Sequence, residues 1–461
     1  MVVLLKIVQV ILALSLLVLF HEFGHYSFAK LFKTRVEKFY LFFNPKRSLL
    51  KFKHFDGKWH CKAFAPNDDP QWDAHPERTE YGIGWLPFGG YCKIAGMIDE
   101  SMDTEALKQP PQPYEFRTKK AWQRFFIMFG GVLFNFILAI ILYAAILGTW
   151  GEEYLRNEDA VYGVAVNDLS QEIGFQFGDR ILAFDGIPTE NFNSLQVDLV
   201  RSQAREATVL RGGDTVTVSI DPVYLPAMLN TPGMFDLAFP FVVKEVQPES
   251  PNIASGLQAG DTLKAIDGQS MIIVQQIQQE LLRHRGEAIE ATVRRPAGTL
   301  DIPLQVDTAG HVGVLLDTDL NQFFHVTTRE YSLLSALPAG ARKTWTTIKG
   351  YVQELGLIFS PKTQAYKSVG SFIAIGRIFP DTWDWFRFWS LCALLSIMLG
   401  VMNLLPIPAL DGGHILFLLF EMLTGRRPSD KFMEVAEWIG MALLLMLMIL
   451  AFGNDIRSLF R

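Results

Sequence analysis

The chain has 461 residues, a formal net charge of −6 and 49% hydrophobic residues, including 36 phenylalanines. It is too long and too apolar for one soluble domain, so its composition favours a membrane protein. Acidic residues outnumber basic ones, 48 to 42, which argues against a nucleic-acid partner. The three cysteines form no CxxC pair and leave the cellular compartment open.

Four segments are apolar enough to cross a bilayer, whose hydrocarbon core takes roughly 20 helical residues. They cover residues 2–20, 125–147, 388–410 and 439–452. The first segment has one lysine and no small-residue cleavage site, so we interpret it as a retained helix rather than a signal peptide. The sequence therefore predicts a polytopic α-helical membrane protein with four transmembrane helices.

Basic residues indicate how these helices are oriented. Lysines and arginines cluster in residues 30–47, 117–124 and 426–431, which follow the first span, precede the second and follow the third. Because cytoplasmic loops are rich in Lys and Arg, these three ends are predicted to face the cytoplasm. The N-terminus and the polar region 150–380 are then predicted to lie outside.

A candidate metal motif stands at the end of the first apolar segment, where His21, Glu22 and His25 form the pattern HEFGH. Positions i and i+4 share one face of a helix, so both histidines can bind one zinc ion while Glu22 reaches its bound water. The alternative is a pair of interfacial histidines beside a glutamate that extends to the headgroups. Ionisable residues inside a membrane are usually functional, which favours the metal site.

A third ligand is available in the segment NLLPIPALDGGH, residues 403–414. Its two prolines break the helical hydrogen-bond ladder, and its paired glycines permit close backbone approach. Asp411 lies beside a very apolar segment, where an anion is costly unless it meets a cation. The alternative role for Asp411 is to cap a helix. The charge rule puts Asp411 and His25 at the same membrane face, so a zinc site with three protein ligands and one open position is predicted.

Together, HEFGH in a first span and NLLPIPALDGGH in a late span resemble the site-2 protease family of zinc intramembrane metalloproteases, and within it the RseP type, the regulators of sigma-E protease. The resemblance implies that His21, His25 and Asp411 are the zinc ligands and that Glu22 is the general base. His414 is assigned to packing or to supporting the ligands, because a fourth protein ligand would close the site.

The resemblance extends to residues 79–91, before the second span, and to the pattern GxxxN within that span. It implies a substrate-binding role for Asn403, Gly84, Gly131 and Asn135. A helical substrate offers no free peptide bond, so a membrane-associated β-hairpin region is expected to hold it extended. Strand-like runs cover residues 36–43, 49–55, 59–64 and 81–94, and the pairing edge is left open. Asn403 has an alternative role, bonding a carbonyl freed by Pro406.

The outer region contains an internal repeat. Gly178-Asp179 and Asp185-Gly186 recur as Gly260-Asp261 and Asp267-Gly268. The two units resemble tandem PDZ (α+β) domains, and the alternative is a generic small β-domain. Residues 332–358 then read as an amphipathic helix on the outer membrane surface.

These features divide the chain into eight predicted parts. They are transmembrane helix 1 with the HExxH motif (1–30), a cytoplasmic or membrane-re-entrant β region (31–124), transmembrane helix 2 (125–150), the first PDZ domain (151–235), the second PDZ domain (236–325), an amphipathic surface segment (326–385), transmembrane helix 3 with the LDGG motif (386–424), and transmembrane helix 4 with the tail (425–461).

The function predicted from the sequence is zinc-dependent intramembrane proteolysis of single-span membrane proteins in a bacterial inner membrane, with periplasmic PDZ domains and an active site toward the cytoplasm. The resemblance implies substrates such as a pre-trimmed anti-sigma factor and remnant signal peptides. The rival is a non-catalytic PDZ membrane scaffold with a structural metal site. An intact Glu22 and only three candidate ligands disfavour it, because a structural zinc site normally has four. The oligomeric state is left open.

Overall fold

The computed structural model describes residues 2–97, 110–271, 273–360, 363, 370 and 372–459. The chain divides into two compact units. The helical unit comprises Met1–Gly151, Glu330–Leu355 and Lys367–Arg461. The β-rich unit comprises Glu152–Arg329 and Gly356–Tyr366.

Among the described residues, four helices are long and apolar enough to cross a membrane: α1 (Val2–Leu31), α3 (Ala121–Trp150), α11 (Trp385–Leu404) and α13 (Asp430–Leu459). All four predicted spans are therefore helical. The third differs at its end, because the apolar segment runs to residue 410 whereas α11 stops at Leu404. Pro406 and Pro408 have no backbone N–H and interrupt the ladder. A separate helix, α12 (Asp411–Thr424), follows the break, so the region predicted as one helix over 386–424 is two.

Two glycines set how closely α1 and α3 approach. A Cβ atom at Gly24 would lie 2.1 Å from the carbonyl oxygen of Gly130, and a Cβ at Gly130 would lie 2.6 Å from the carbonyl oxygen of Gly24. The two backbones are therefore in direct contact, one residue before His25. On the other side of α3, Arg124 forms a largely buried ion pair with Glu421 of α12.

The described residues outside the β-rich repeats also form three further α-helices: α2 (Pro70–Asp73), α9 (Leu333–Phe359) and α10 (Phe372–Ile378). α9 covers the predicted amphipathic segment. Its Gly340 rests on α3, since a Cβ there would lie 2.6 Å from the backbone nitrogen of Ala144. Large apolar side chains elsewhere on α9 are exposed, among them Leu334, Leu337 and Trp345.

The β region of the helical unit is one sheet with strands β1 (Val36–Phe43), β2 (Arg47–Phe55), β3 (Lys58–Pro66), β4 (Glu80–Ile83) and β5 (Leu86–Ile94). Their order is β3-β2-β4-β1-β5. The β1–β4 pair is parallel and the other pairs are antiparallel. The run predicted over 81–94 is two strands, separated at Gly84. Among the described strands of this sheet, β5 lies at an edge.

The β-rich unit holds the remaining strands and five short helices. The strands are β6 (Glu152–Leu155), β7 (Val164–Val166), β8 (Arg180–Phe184), β9 (Ile187–Pro188), β10 (Glu206–Arg211), β11 (Asp214–Ser219), β12 (Phe235–Leu237), β13 (Val243–Val246), β14 (Thr262–Ile266), β15 (Gln269–Ser270), β16 (Ala288–Arg295), β17 (Gly298–Gln305), β18 (Val314–Leu316) and β19 (Val326–Arg329). The helices are α4 (Asp168–Ile173), α5 (Leu195–Ser202), α6 (Leu225–Asn230), α7 (Val274–Arg283) and α8 (Leu320–Phe323).

The sequence repeat is also a structural repeat. The two four-stranded sheets have the orders β11-β10-β8-β9 and β17-β16-β14-β15, which are equivalent, and each repeat has its own hydrophobic core. In the first, Arg211 donates to both carboxylate oxygens of buried Asp179 at 2.8 and 2.7 Å. In the second, Arg295 does the same to Asp261 at 2.6 and 2.8 Å. The aspartate of the Gly-Asp pair therefore binds the arginine that ends β10 in the first repeat and β16 in the second.

Burial raises the pKa of the Asp261 carboxyl, but hydrogen bonds from Arg295 and from the backbone N–H of Gln258 outweigh it and hold the pKa below its usual range. A carboxyl whose pKa is lowered by folding stabilises the fold above the pKa of the unfolded chain. This contribution is present at neutral pH and is lost as the pH falls through the acidic range.

Candidate metal centre

Three buried or nearly buried side chains converge in the helical unit. The Nε2 atoms of His21 and His25 lie 3.3 Å apart, and Oδ2 of Asp411 lies 3.2 and 3.4 Å from them. These distances match the roughly 3.3 Å edge of a tetrahedron whose metal–ligand bonds are about 2.0–2.1 Å long. In spite of these short distances, Oδ2 is buried and has no hydrogen bond of acceptable geometry. Two imidazole nitrogens and one carboxylate oxygen this close together fit a metal ion.

Local structure explains how Asp411 reaches the histidines. A Cβ atom at Gly412 would lie 2.1 Å from the carbonyl oxygen of Leu405, and one at Gly413 would lie 2.6 Å from Cα of Pro408. Only glycines allow the first turn of α12 to fold back against the turn that follows α11. Ala409, in that turn, has a φ of 84°, a conformation that few non-glycine residues adopt.

Helix α3 contacts both imidazole rings from behind. The Nδ1 of His25 is 2.8 Å from the carbonyl oxygen of Ile127, and the Nδ1 of His21 is 3.1 Å from the side-chain amide of Asn135. A Cβ atom at Gly131 would lie 2.5 Å from Nε2 of His25. The Nδ1 atom of each ring therefore has a partner on α3, and the missing side chain of Gly131 leaves room beside Nε2 of His25.

A cavity of about 790 Å³ opens beside the three ligands. It is lined by residues of α1, β1, β5, α3, α11, α12 and α13 and of the adjoining loops: His21, Glu22, His25, Lys38, Phe43, Gly90, Tyr91, Cys92, Lys93, Ile94, Met97, Met128, Asn403, Ala409, Leu410, Asp411, His414, Glu437, Met441 and Leu444. The site is thus an open pocket with room for a peptide segment, rather than a closed structural metal site.

Glu22 faces this cavity next to the ligand cluster. A carboxylate in this position can accept a proton from a water molecule held beside the ligands.

The residues predicted to bind substrate separate into two groups. Asn403 lines the cavity, with its amide nitrogen 3.4 Å from Nε2 of His21. Gly131 lies beside Nε2 of His25, and the amide of the fully buried Asn135 lies beside Nδ1 of His21; their assignment to substrate contact stays a prediction. Gly84 also lies away from the lining, because it packs against the backbone of β1 and a Cβ there would lie 2.2 Å from the carbonyl oxygen of Phe43.

Two contributors to the cavity were missed at the sequence level. One is the edge of β5, which only the strand order of the sheet reveals. The other is Glu437 of α13, which lies 3.4 Å from Nε2 of His414. A sequence signal for it existed, since Glu437 is an acidic residue at the start of an apolar helix, where ionisable residues are often functional.

Comparison with known proteins agrees with this geometry. The sequence profile of Peptidase family M50 matches residues 9–66 and 70–447. Protease RseP of Yersinia pestis is 28% identical over 475 residues, covering 97% of this chain and 98% of the relative. The regulator of sigma-E protease RseP of Escherichia coli K12 is 28% identical over 476 residues, with 97% and 98% covered. A putative zinc metalloprotease of Xylella fastidiosa 9a5c is 28% identical over 471 residues, with 97% of each chain covered.

The chain therefore belongs to peptidase family M50, the site-2 protease family of zinc-dependent metalloendopeptidases. With four helices long and apolar enough to span a bilayer among its described residues, it is a multi-pass membrane protein of that family. Its relatives along nearly the full length include RseP proteases. The resemblance inferred from the two sequence motifs is confirmed.

Replacing Asp411 tests the metal centre. Asp411→Asn exchanges an anionic oxygen ligand for a neutral amide, so zinc affinity should fall by more than the roughly 10–100-fold that loss of an outer-shell partner costs. Competition with a chromophoric chelator on the detergent-purified protein measures this. Asp381→Asn is the matched control, because Asp381 is an exposed carboxylate of the same unit that pairs with Lys6. Equal zinc affinity in the two variants would remove Asp411 from the ligand set.

Proposed function

We propose that the chain cleaves single-span membrane proteins within a bacterial inner membrane, with zinc held by His21, His25 and Asp411. The observation that carries the proposal is the convergence of these three ligands with Glu22 on one cavity, at the end of an apolar helix. Because relatives are named regulators of sigma-E protease, an anti-sigma factor already trimmed outside the membrane is the substrate we favour. Remnant signal peptides are a second substrate of the same kind.

The reaction we propose is hydrolysis of a peptide bond. Zinc in this position would polarise a carbonyl oxygen and acidify a water molecule. Glu22 takes the proton of the attacking water and delivers it to the leaving amine. The Asn403 amide donates a hydrogen bond to the substrate backbone beside the scissile bond. His21 and His25 keep their Nε2 atoms directed at the reaction centre through the contacts of their Nδ1 atoms with α3.

Substrate is held, in this proposal, as an extra strand beside β5, the outermost strand at that side of the described sheet. β5 lines the cavity over Gly90–Ile94. An added strand exposes its peptide bonds, which a helix does not. A Cβ at Gly90 would lie 2.6 Å from the carbonyl oxygen of Tyr40, so a side chain there would disturb β1 as well. The proposal therefore selects β5 as the pairing strand that the sequence left open.

The two structural repeats are, in our proposal, periplasmic PDZ domains. Support comes from their equivalent strand orders and from the paired Gly-Asp and Asp-Gly signatures. The Lys- and Arg-rich segments that flank α1 and α3 support a cytoplasmic position for the ends of these helices near the metal ligands.

A non-catalytic scaffold is the competing function. A structural zinc site normally has four protein ligands, whereas the described residues bring together three and leave a cavity beside them. The carboxylate of Glu22, which can act as a general base, also faces that cavity. Both observations favour hydrolysis over a purely structural metal.

Glu22→Gln tests catalysis. The ligands are unchanged, so zinc content should equal that of the parent, while cleavage of a membrane-embedded reporter should fall by roughly 10²–10⁴-fold or more because the general base is lost. Glu434→Gln, at an exposed glutamate of α13, is the control and should cleave normally. Cleavage by the Glu22 variant at the parent rate would assign the base to another residue.

Disulfide cross-linking tests strand pairing. Cys61 and Cys392 are replaced by serine and alanine, so that Cys92 is the remaining cysteine, in a Glu22→Gln background. A reporter with single cysteines at successive positions should cross-link to Cys92 at every second position, because side chains of a strand alternate with period two. A period of three to four residues would mean that the substrate stays helical at this edge, contrary to the proposal.

Cysteine labelling tests the orientation. In protein without its native cysteines, single cysteines at Ser170 and Asn321 should react with an impermeant reagent in intact spheroplasts, and one at Lys120 should react only after lysis. The reverse pattern would place the repeats in the cytoplasm.

A further inference from the structure

Three residues of α3, spaced four apart, face the two histidines of α1. Ile127 contacts His25 through its carbonyl oxygen at 2.8 Å, and Asn135 contacts His21 through its side-chain amide at 3.1 Å. Gly131 lies between them. Residues i and i+4 share a face of a helix, so this stripe is one continuous surface behind both rings.

Gly131 gives His25 access to the carbonyl of Ile127. In a helix the side chain at position i+4 lies over the carbonyl of residue i. A Cβ at Gly131 would lie 2.5 Å from Nε2 of His25 and 2.6 Å from Cε1 of His21. His25 can therefore reach a backbone acceptor, the carbonyl oxygen of Ile127. His21, one turn away, contacts the side chain of Asn135 instead.

The contact at His21 contains a mismatch. Nε2 of His21 faces the cluster with His25 and Asp411, so a metal there requires its lone pair and leaves the proton on Nδ1. The atom of Asn135 placed 3.1 Å from Nδ1 is the amide nitrogen, which also carries only protons to donate. At the same time Oδ1 of Asn135 is buried and has no hydrogen-bond partner.

A half-turn of the amide removes the mismatch. Amide oxygen and nitrogen positions are assigned from the hydrogen-bond network, and rotation about the Cβ–Cγ bond exchanges them. After rotation Oδ1 accepts the Nδ1–H of His21, and two facing donors become one hydrogen bond. The backbone of Asn135 is fixed meanwhile, because Ser396 of α11 donates to its carbonyl oxygen at 2.8 Å.

We propose that Asn135 is the positioning residue of His21: its Oδ1 accepts the Nδ1–H and keeps the Nε2 lone pair directed at the metal. Ile127 performs the same task for His25, with Gly131 as the gap that permits it. This inference rests on the proposed function, since it requires a metal at the cluster. It replaces substrate contact as the role of the GxxxN pattern in α3.

Two substitutions at Asn135 test whether His21 needs a hydrogen-bond acceptor at this position. Asn135→Asp retains an acceptor and no donor, so zinc affinity of the full-length protein in detergent should stay within a few-fold of the parent. Asn135→Leu has a similar volume and neither group, and its zinc affinity should be about 10–100-fold weaker, as expected for loss of an outer-shell partner. Asn403→Leu gives the contrasting pattern, because Asn403 lines the cavity: slower cleavage, with zinc affinity within a few-fold of the parent.

A spectroscopic measurement on the unaltered side chain complements the variants. In the Co²⁺-substituted parent, two exchangeable imidazole N–H protons should give separate paramagnetically shifted NMR signals, one for each histidine. In Asn135→Leu the His21 signal should broaden through faster exchange with water, and the His25 signal should persist as an internal reference. If Asn135→Leu does not fold, the two protected signals of the parent still test the proposal.

Several results would overturn it. Parent-like zinc affinity in Asn135→Leu, a loss in Asn135→Asp equal to that in Asn135→Leu, or a single protected N–H signal in the parent would each exclude an acceptor role for Asn135. A parent that binds no zinc would instead refute the proposed function. If the parent binds zinc and cleaves, and the zinc affinity of Asn135→Leu equals that of the parent, this inference alone is refuted.

Discussion

The structure depends on the cost of burying two imidazole lone pairs and one carboxylate next to one another. Without a cation, the buried Oδ2 of Asp411 has no hydrogen-bond partner among the described residues, and an unsatisfied polar group in an apolar environment costs on the order of several kcal/mol. A divalent ion converts this cost into a binding site. The helices around the cluster can be understood as the means of holding these ligands at the right separation.

Glycine makes that separation possible at two contacts. Gly24 and Gly130 allow α1 to contact α3 at the backbone, and Gly412 with Gly413 allows α12 to fold against the turn after α11. In a bilayer, small residues at helix contacts replace the hydrophobic driving force that works in water. The same residues that pack the helices therefore also set the distances between the metal ligands.

What the sequence could predict was local. The i, i+4 spacing of His21 and His25 needs only a helix, and the prolines before Asp411 need only their missing N–H groups. The apolar lengths of the spans and the Gly-Asp repeat are also local patterns. These local patterns were enough to predict the two site motifs and the four helices. They did not predict that α11 ends at Leu404.

Long-range packing decided the rest. Whether Asn135 faces substrate or a histidine depends on the rotation of α3 against α1, and the pairing edge at β5 depends on strand order. Neither follows from a pattern within one segment. A motif identifies a residue without stating which side of its helix or strand meets the cavity, so the sequence could not fix the surroundings of Gly84, Gly131 and Asn135.

The distribution of the ligands along the chain has a consequence for biogenesis. His21 and His25 enter the membrane with the first helix, whereas Asp411 is translated 386 residues after His25 (411 − 25). At about 5–20 residues per second, synthesis of that interval takes roughly 20–80 s. Throughout this period the nascent chain has two of the three ligands proposed for zinc and no complete site. Hydrolytic activity therefore starts only when nearly the whole polypeptide has been made and its last helices have been inserted, so a half-finished protease cannot attack other proteins that are entering the membrane beside it.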